Sequence, residues 1–120
     1  MEKVVIIGAS SKEDRYAYKA QKLLMEYGHE VFPVSPTAKN VLEVKGYDSL
    51  EEIQEPIDTI TLYINPRRLA PMLESIIRIN PKRVIFNLGT EDPNIETELE
   101  RNGIQALRAC TLVMLNTGQY

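Results

Sequence analysis

Two patterns of apolar residues alternate along this chain. Lys3–Ile7 is a short run of Val and Ile that reads as a strand buried on both faces. From Tyr16 the apolar positions fall at helical spacing (Tyr16, Ala20, Leu23, Leu24, Tyr27), which predicts a first helix ended by Gly28. Glu30–Val34 reads as the second strand, although Pro33 cannot donate to a ladder. Asp48–Ile53 carries capping-box spacing, Ser49 with Glu52, and predicts a short helix. Ile57–Ile64 alternates apolar residues with Asp58, Thr59 and Thr61 and reads as a third strand. Asn65-Pro66 then predicts an N-cap and first turn, with Leu69, Met72, Leu73, Ile76 and Ile77 as the buried stripe and Pro71 displacing the regular helix a few residues onward. Arg83–Leu88, closed by Gly89, is the fourth strand. Asn94–Asn102 is a charged surface helix held by Ile95 and Leu99 and ended by Gly103, and Ile104–Leu107 is the fifth strand. Thr111–Tyr120 has no clear period and receives no assignment.

Five strands alternating with helices predict an α/β fold: a Rossmann-like, doubly wound sheet of five mostly parallel strands, with right-handed crossovers and helices on both faces. The length of 120 residues and a hydrophobic content of 43% suit a single domain over residues 1–120. In such a sheet, ligands bind beyond the carboxyl ends of the strands, where strand order reverses. That selects five loops, residues 8–15, 34–40, 63–68, 87–92 and 109–111. A net charge of −3, with both signs interspersed, gives no footprint for nucleic acid or an anionic membrane. No apolar run is long enough to span a bilayer, and the first residues are strand-like, without signal-peptide flanks. The single cysteine, Cys110, cannot form an internal disulfide, so the cytoplasm is the expected compartment.

The first of these loops follows a strand and opens a helix, the setting of a dinucleotide fingerprint, G-x-G-x-x-G. Here Gly8-Ala9-Ser10-Ser11-Lys12-Glu13 keeps only the first glycine. Ser10 narrows the approach of a pyrophosphate to the backbone but offers a hydroxyl, and the helix N-terminus still attracts anions. A small-residue turn with a purely structural purpose fits this loop equally well. Beyond the second strand, where an NAD site places an acid, the chain has Val34-Ser35-Pro36 and then Lys39. Ser35 suits a ribose hydroxyl and Lys39 a ribose phosphate, a group found in NADP and in coenzyme A. The ordinary reading of any one loop lysine is a solvated charge.

VIIGAS, EVFPVSP, YDSLEEI followed by P-I-D, LYINP, FNLGTED and Cys110 occur in this order over nearly the whole chain. In these blocks the chain resembles the small single-domain CoA-binding proteins, which are similar to the N-terminal CoA-binding domain of the succinyl-CoA synthetase α subunit. The resemblance implies coenzyme A or an acyl-CoA as ligand. Gly8, Ala9, Ser10 and Lys12 would line the phosphate turn, with Arg15 in the same loop. Ser35, Pro36 and Lys39 would hold the adenosine end, and Tyr63, Ile64 and Asn65 would flank the adenine or the start of the pantetheine arm. Leu88, Gly89 and Cys110 lie on the remaining carboxyl-end loops and complete the set. Two departures stand out: the family usually has Asn-Pro where this chain has Ser35-Pro36, and often Arg-Cys-Pro where it has Arg108-Ala109-Cys110-Thr111. The larger synthetases carry a phosphorylated histidine in a separate domain. The only histidine here, His29, falls in a helix–strand turn at the opposite end of the sheet.

Candidate chemistry is sparse. The sequence offers no Ser-His-Asp set, no metal-ligand cluster and no second cysteine. Glu91 and Asp92 lie on a site-side loop, where Asp92 suits the start of a helix. For Cys110, burial in the core is the ordinary expectation for a free cysteine, and reach to a pantetheine thiol the sharper one. The expectation is therefore a non-catalytic binding module with a small-molecule CoA ligand, no nucleic-acid or membrane partner, and an open place for a protein partner. An NADP-binding domain serving a separate catalytic subunit, and a nucleotide-free interaction domain, are the alternatives.

Overall fold

The computed structural model describes all 120 residues. Its strands are β1 (Lys3–Ile7), β2 (Glu30–Val34), the two-residue β3 (Asn40–Val41) and β4 (Val44–Lys45), β5 (Thr59–Leu62), β6 (Arg83–Phe86) and β7 (Gln105–Arg108). Its helices are α1 (Tyr16–Glu26), α2 (Pro66–Leu69), α3 (Leu73–Ile79), α4 (Pro93–Arg101) and α5 (Thr111–Asn116). Five strands form one parallel sheet in the order β2-β1-β5-β6-β7, and β3 pairs with β4 in a separate antiparallel hairpin. This is the Rossmann-like α/β architecture expected from the sequence.

The central strand explains its own composition. Val4 and Ile6 pack with Ala17, Leu24, Val31 and Leu115 beneath α1 and α5, while Val5 and Ile7 join Phe32, Ile60, Leu62, Leu69, Ile76 and Leu99 on the other face. A strand covered on both sides needs no polar alternation. Pro33 is accommodated because β2 is an edge strand, so its missing N–H breaks no ladder bond. The chain near β4 covers that edge: the Tyr47 N–H donates to the Pro33 carbonyl at 2.8 Å, and the Ser35 N–H donates to the Tyr47 carbonyl at 2.9 Å.

Several elements differ from the sequence pattern. The buried face of α1 is Ala17, Ala20, Gln21 and Leu24, whereas Tyr16 and Tyr27 are 69% and 51% exposed. A glutamine takes a core position because its Nε2 donates to the Val41 carbonyl at 2.9 Å, tying the β3–β4 hairpin to α1. The helix expected at residues 48–53 is one 3₁₀ turn, Leu50–Glu52. Its capping box does not form: the Ser49 side chain caps nothing, and Glu52 accepts from the Asp48 N–H at 3.2 Å instead of from the Ser49 N–H. The third strand is shorter than its apolar run because Asp58 acts as a cap, accepting the Lys3 N–H at 2.8 Å. Asn65 caps α2 by accepting the Arg68 N–H at 2.9 Å, and a 3₁₀ turn containing Pro71 separates α2 from α3. Asp92 caps α4 through the N–H groups of Asn94 and Ile95. No helix is long and apolar enough to cross a membrane.

Candidate functional site

Strand order reverses between β1 and β5, since β2 lies on one side of β1 and β5 on the other. Their carboxyl ends meet at Gly8 and Tyr63. Gly8 has φ +90°, and a Cβ there would sit 2.7 Å from both Ile64 Cγ2 and the Tyr63 carbonyl oxygen. No other residue fits this crossing. The N–H groups of Gly8 and Ala9 both donate to the Val34 carbonyl, at 3.0 and 3.1 Å, which pins the loop start across β2. The Ser10 hydroxyl accepts the Lys12 N–H at 3.1 Å and leaves its own hydrogen free. A further turn carries the chain to Arg15, and α1 starts only at Tyr16.

That late start matters. Arg15 occupies the N-cap without a side-chain hydrogen bond, the first turn has no acid, and the N–H groups of Tyr16, Ala17 and Tyr18 donate to no protein atom. An eleven-residue helix with an open, uncapped N-terminus presents partial positive charge to an anion. Lys12 and Arg15 are exposed beside it and form no ion pair. The free amides of the helix itself therefore lie at Tyr16–Tyr18, beyond the small-residue turn, where the N–H groups of Ser10 and Ser11 also donate to no protein atom.

At the β2 end, Ser35 is buried. Its Oγ accepts the N–H groups of Thr37 and Ala38, both at 3.2 Å, and lies 3.3 Å from the Thr37 hydroxyl. Its hydroxyl thus shapes the loop that carries the exposed Pro36 and Lys39. The Lys39 carbonyl accepts the Gly46 N–H at 2.8 Å, while its ammonium group is unpaired.

At the other end, Asn87 organises the carboxyl ends of β5 and β6. Its Nδ2 donates to Thr61 Oγ1 at 2.7 Å and to the Leu62 carbonyl at 2.9 Å, and its Oδ1 accepts the Thr111 N–H at 2.9 Å. The Thr61 and Thr111 hydroxyls meet at 2.8 Å. Thr90 folds back on the Asn87 carbonyl through its N–H and its hydroxyl, at 3.0 and 2.7 Å. Leu88, between these anchors, is 95% exposed, and Gly89 follows at φ +93° with its N–H donating to Glu91. Tyr63 is largely buried, which pushes its phenol up to about 12 and keeps it protonated. Ile64 belongs to the core and Asn65 is spent on capping α2. Cys110 is exposed, not buried, because it precedes the first residue of α5 at the sheet edge.

Two hollows join along this edge. One of about 240 Å³ is lined by Gly8, Ser10, Arg15, Tyr16, Ala17 and Tyr63. The next, about 310 Å³, is lined by Tyr16, Tyr63, Asn87, Leu88, Cys110 and Leu112. They share Tyr16 and Tyr63. The structure thus gathers Gly8, Ser10, Arg15, Tyr63, Leu88 and Cys110 of the expected set around one groove; Ala9, Lys12, Ser35, Pro36, Lys39, Ile64, Asn65 and Gly89 are not among its lining residues. Tyr16, Ala17 and Leu112 line it from outside the selected loops, and Asn87 lines it from within loop 87–92 without having been singled out; the one signal for Tyr16 was an aromatic residue at the first helical position. No three His, Cys, Asp or Glu side chains converge to hold a metal. His29 lies at the amino end of the sheet, where its Nδ1 accepts the Glu2 N–H at 3.0 Å.

Comparison with known proteins gives a consistent picture. Residues 2–116 match the protein family described as CoA binding domain. The chain is 30% identical over 76 residues to the uncharacterized protein YneT of Bacillus subtilis, covering 63% of this chain and 56% of YneT. It is 28% identical over 61 residues to an ADP-forming acetate–CoA ligase of Methanocaldococcus jannaschii, covering 51% of this chain but only 9% of the ligase. The chain thus spans about half of one curated relative and a small part of the other. A crystal structure of an uncharacterized protein, 42% identical, superimposes with a TM-score of 0.95 over 100% of this chain and 98% of that one.

Proposed function

The chain belongs to the CoA-binding domain family, and from that membership we propose that it binds coenzyme A or an acyl-CoA along the carboxyl edge of its sheet, as a binding module without chemistry of its own. The observation that carries this reading is the order of chemistry along that edge. An unpaired Lys39 stands at the β2 end, and the uncapped N-terminus of α1 with Ser10 and Arg15 lies over β1. An apolar hollow reaching Cys110 follows over β5 to β7. Four strand spacings, about 19 Å, separate the two ends. A ligand with a ribose phosphate, then a pyrophosphate, then a long uncharged arm ending in a thiol matches that sequence of environments. Ser35 contributes by fixing the loop that presents Lys39.

Thermal unfolding tests the choice of ligand. At roughly 100 times its dissociation constant, CoA stabilises the native state by about 2.7 kcal/mol, seen as a clear rise in Tm. NADPH at the same concentration leaves Tm unchanged. A rise with NADPH alone would favour a dinucleotide site, and no rise with any adenine nucleotide would favour an interaction domain.

The exposed Cys110 gives a second expected outcome. With the pantetheine arm seated beside it, the Cys110 thiolate attacks CoA disulfide, forms a mixed disulfide and releases one CoA thiolate. Intact mass after incubation with CoA disulfide then rises by one CoA, and Cys110→Ser abolishes the adduct. An unmodified wild-type chain would place the arm elsewhere. A free, exposed thiol also suits a reducing, cytoplasmic setting.

A further inference from the structure

Leu88 stands out among the large apolar side chains because the structure fixes it in solvent. Asn87 makes three side-chain hydrogen bonds into β5 and α5, Thr90 closes back on the Asn87 carbonyl, and Gly89 takes φ +93°. The backbone of residues 87–90 is therefore rigid, and it displays a leucine at 95% exposure beside Tyr16, itself 69% exposed. Both line the hollow of about 310 Å³, together with Tyr63, Cys110 and Leu112. Its one polar side chain of the amide or charged kind, Asn87, has its nitrogen and oxygen already committed to the fold. Arg15 lines the neighbouring hollow, not this one.

We infer that the site is built for a CoA thioester with a short, unsubstituted alkyl chain, seated in this hollow against Leu88, in preference to free CoA or a carboxylated acyl group. The inference rests on the CoA reading above. Continuity supplies the direction: the hollow shares Tyr16 and Tyr63 with the polar one at the α1 N-terminus, so a ligand anchored there by phosphate enters the apolar part with its far end. Its volume holds about ten water-sized groups. The nitrogen, two carbons and sulfur at the end of the arm take four of them, leaving room for about four to six acyl carbons. A terminal carboxylate would meet no cation among the lining residues and only the neutral phenols of Tyr16 and Tyr63 as donors, so its desolvation would be poorly compensated.

Calorimetric titration of the full chain with CoA, acetyl-, butyryl-, hexanoyl-, decanoyl- and succinyl-CoA tests this. From acetyl to hexanoyl, Kd falls about two- to fourfold per methylene, then levels off toward decanoyl. Succinyl-CoA binds no more tightly than acetyl-CoA. In Leu88→Ser the slope of log Kd against chain length drops by half or more. CoA binding with a flat acyl series, or tightest binding of succinyl-CoA, overturns the acyl assignment alone. No binding of any member overturns it together with the CoA reading.

Discussion

Gly8→Ala lowers the stability of the fold by about 2–5 kcal/mol. Two costs combine. At φ +90° an L side chain is strained by about 1–2 kcal/mol. The new Cβ would also lie 2.7 Å from Ile64 Cγ2 and from the Tyr63 carbonyl oxygen, and the second of these is backbone, which cannot rotate away. Overpacking of this kind typically adds about 1–3 kcal/mol. Gly89→Ala is the internal control: φ is +93° there, but nothing lies within 4 Å of the added carbon, so only the conformational cost of about 1–2 kcal/mol applies. Urea unfolding of both variants measures the difference. Equal losses would mean that the β1 and β5 ends do not cross as closely as described. Relaxation of the crossing to admit the methyl group shifts the α1 N-terminus from its place beside Tyr63, so ligand affinity falls with stability.

Lys39→Ala weakens CoA binding about tenfold to a hundredfold and leaves dephospho-CoA almost unaffected. The expectation follows from an unpaired ammonium on a loop whose shape is fixed by Ser35 and by the Gly46–Lys39 backbone bond, at the β2 end of the carboxyl edge, where a ribose phosphate would lie. Because the side chain is exposed, the loss lies toward the lower end of that range and shrinks as salt rises. Wild type and variant against the two ligands form a double-mutant cycle in which one partner is removed from the ligand. Equal losses for both ligands would assign Lys39 to the fold or the pyrophosphate. No loss for either would make it a solvated loop charge.

Much of this architecture is legible in the residue pattern because burial dictates it. β1 had to be apolar throughout, being covered on both faces, and Asn65-Pro66 and Asp92 carry their capping chemistry in their identities. What escapes the pattern is made by tertiary contacts. The α1 face is offset from the expected stripe because Gln21 finds a backbone carbonyl on a hairpin of two-residue strands, too short to leave a period. α5 has only six residues, fewer than two turns, so no stripe forms in the sequence. Its place after the fifth strand put Cys110 at the carboxyl edge, but without α5 nothing indicated that it precedes a helix there, and burial was the ordinary expectation. Asn87 carries no sequence signal as a hub, since its partners Thr61 and Thr111 lie 26 and 24 residues away. The glycine pattern marks Gly8–Lys12, where the N–H groups of Ser10 and Ser11 are free; the further free amides at Tyr16–Tyr18 carry no such mark, because helix α1 begins later than in a G-x-G-x-x-G turn.

Isothermal titration calorimetry of the purified chain with CoA tests the central claim most directly, since it requires no variant and no reporter. A saturable isotherm with one CoA per chain, weakening as ionic strength rises because phosphates are held by exposed cations, is the result expected of a carboxyl edge that carries Lys39 at its β2 end and, over β1 and β5, a groove from the α1 N-terminus to Cys110. No measurable heat and no competition by CoA or any acyl-CoA, with the protein shown to be folded, would contradict it.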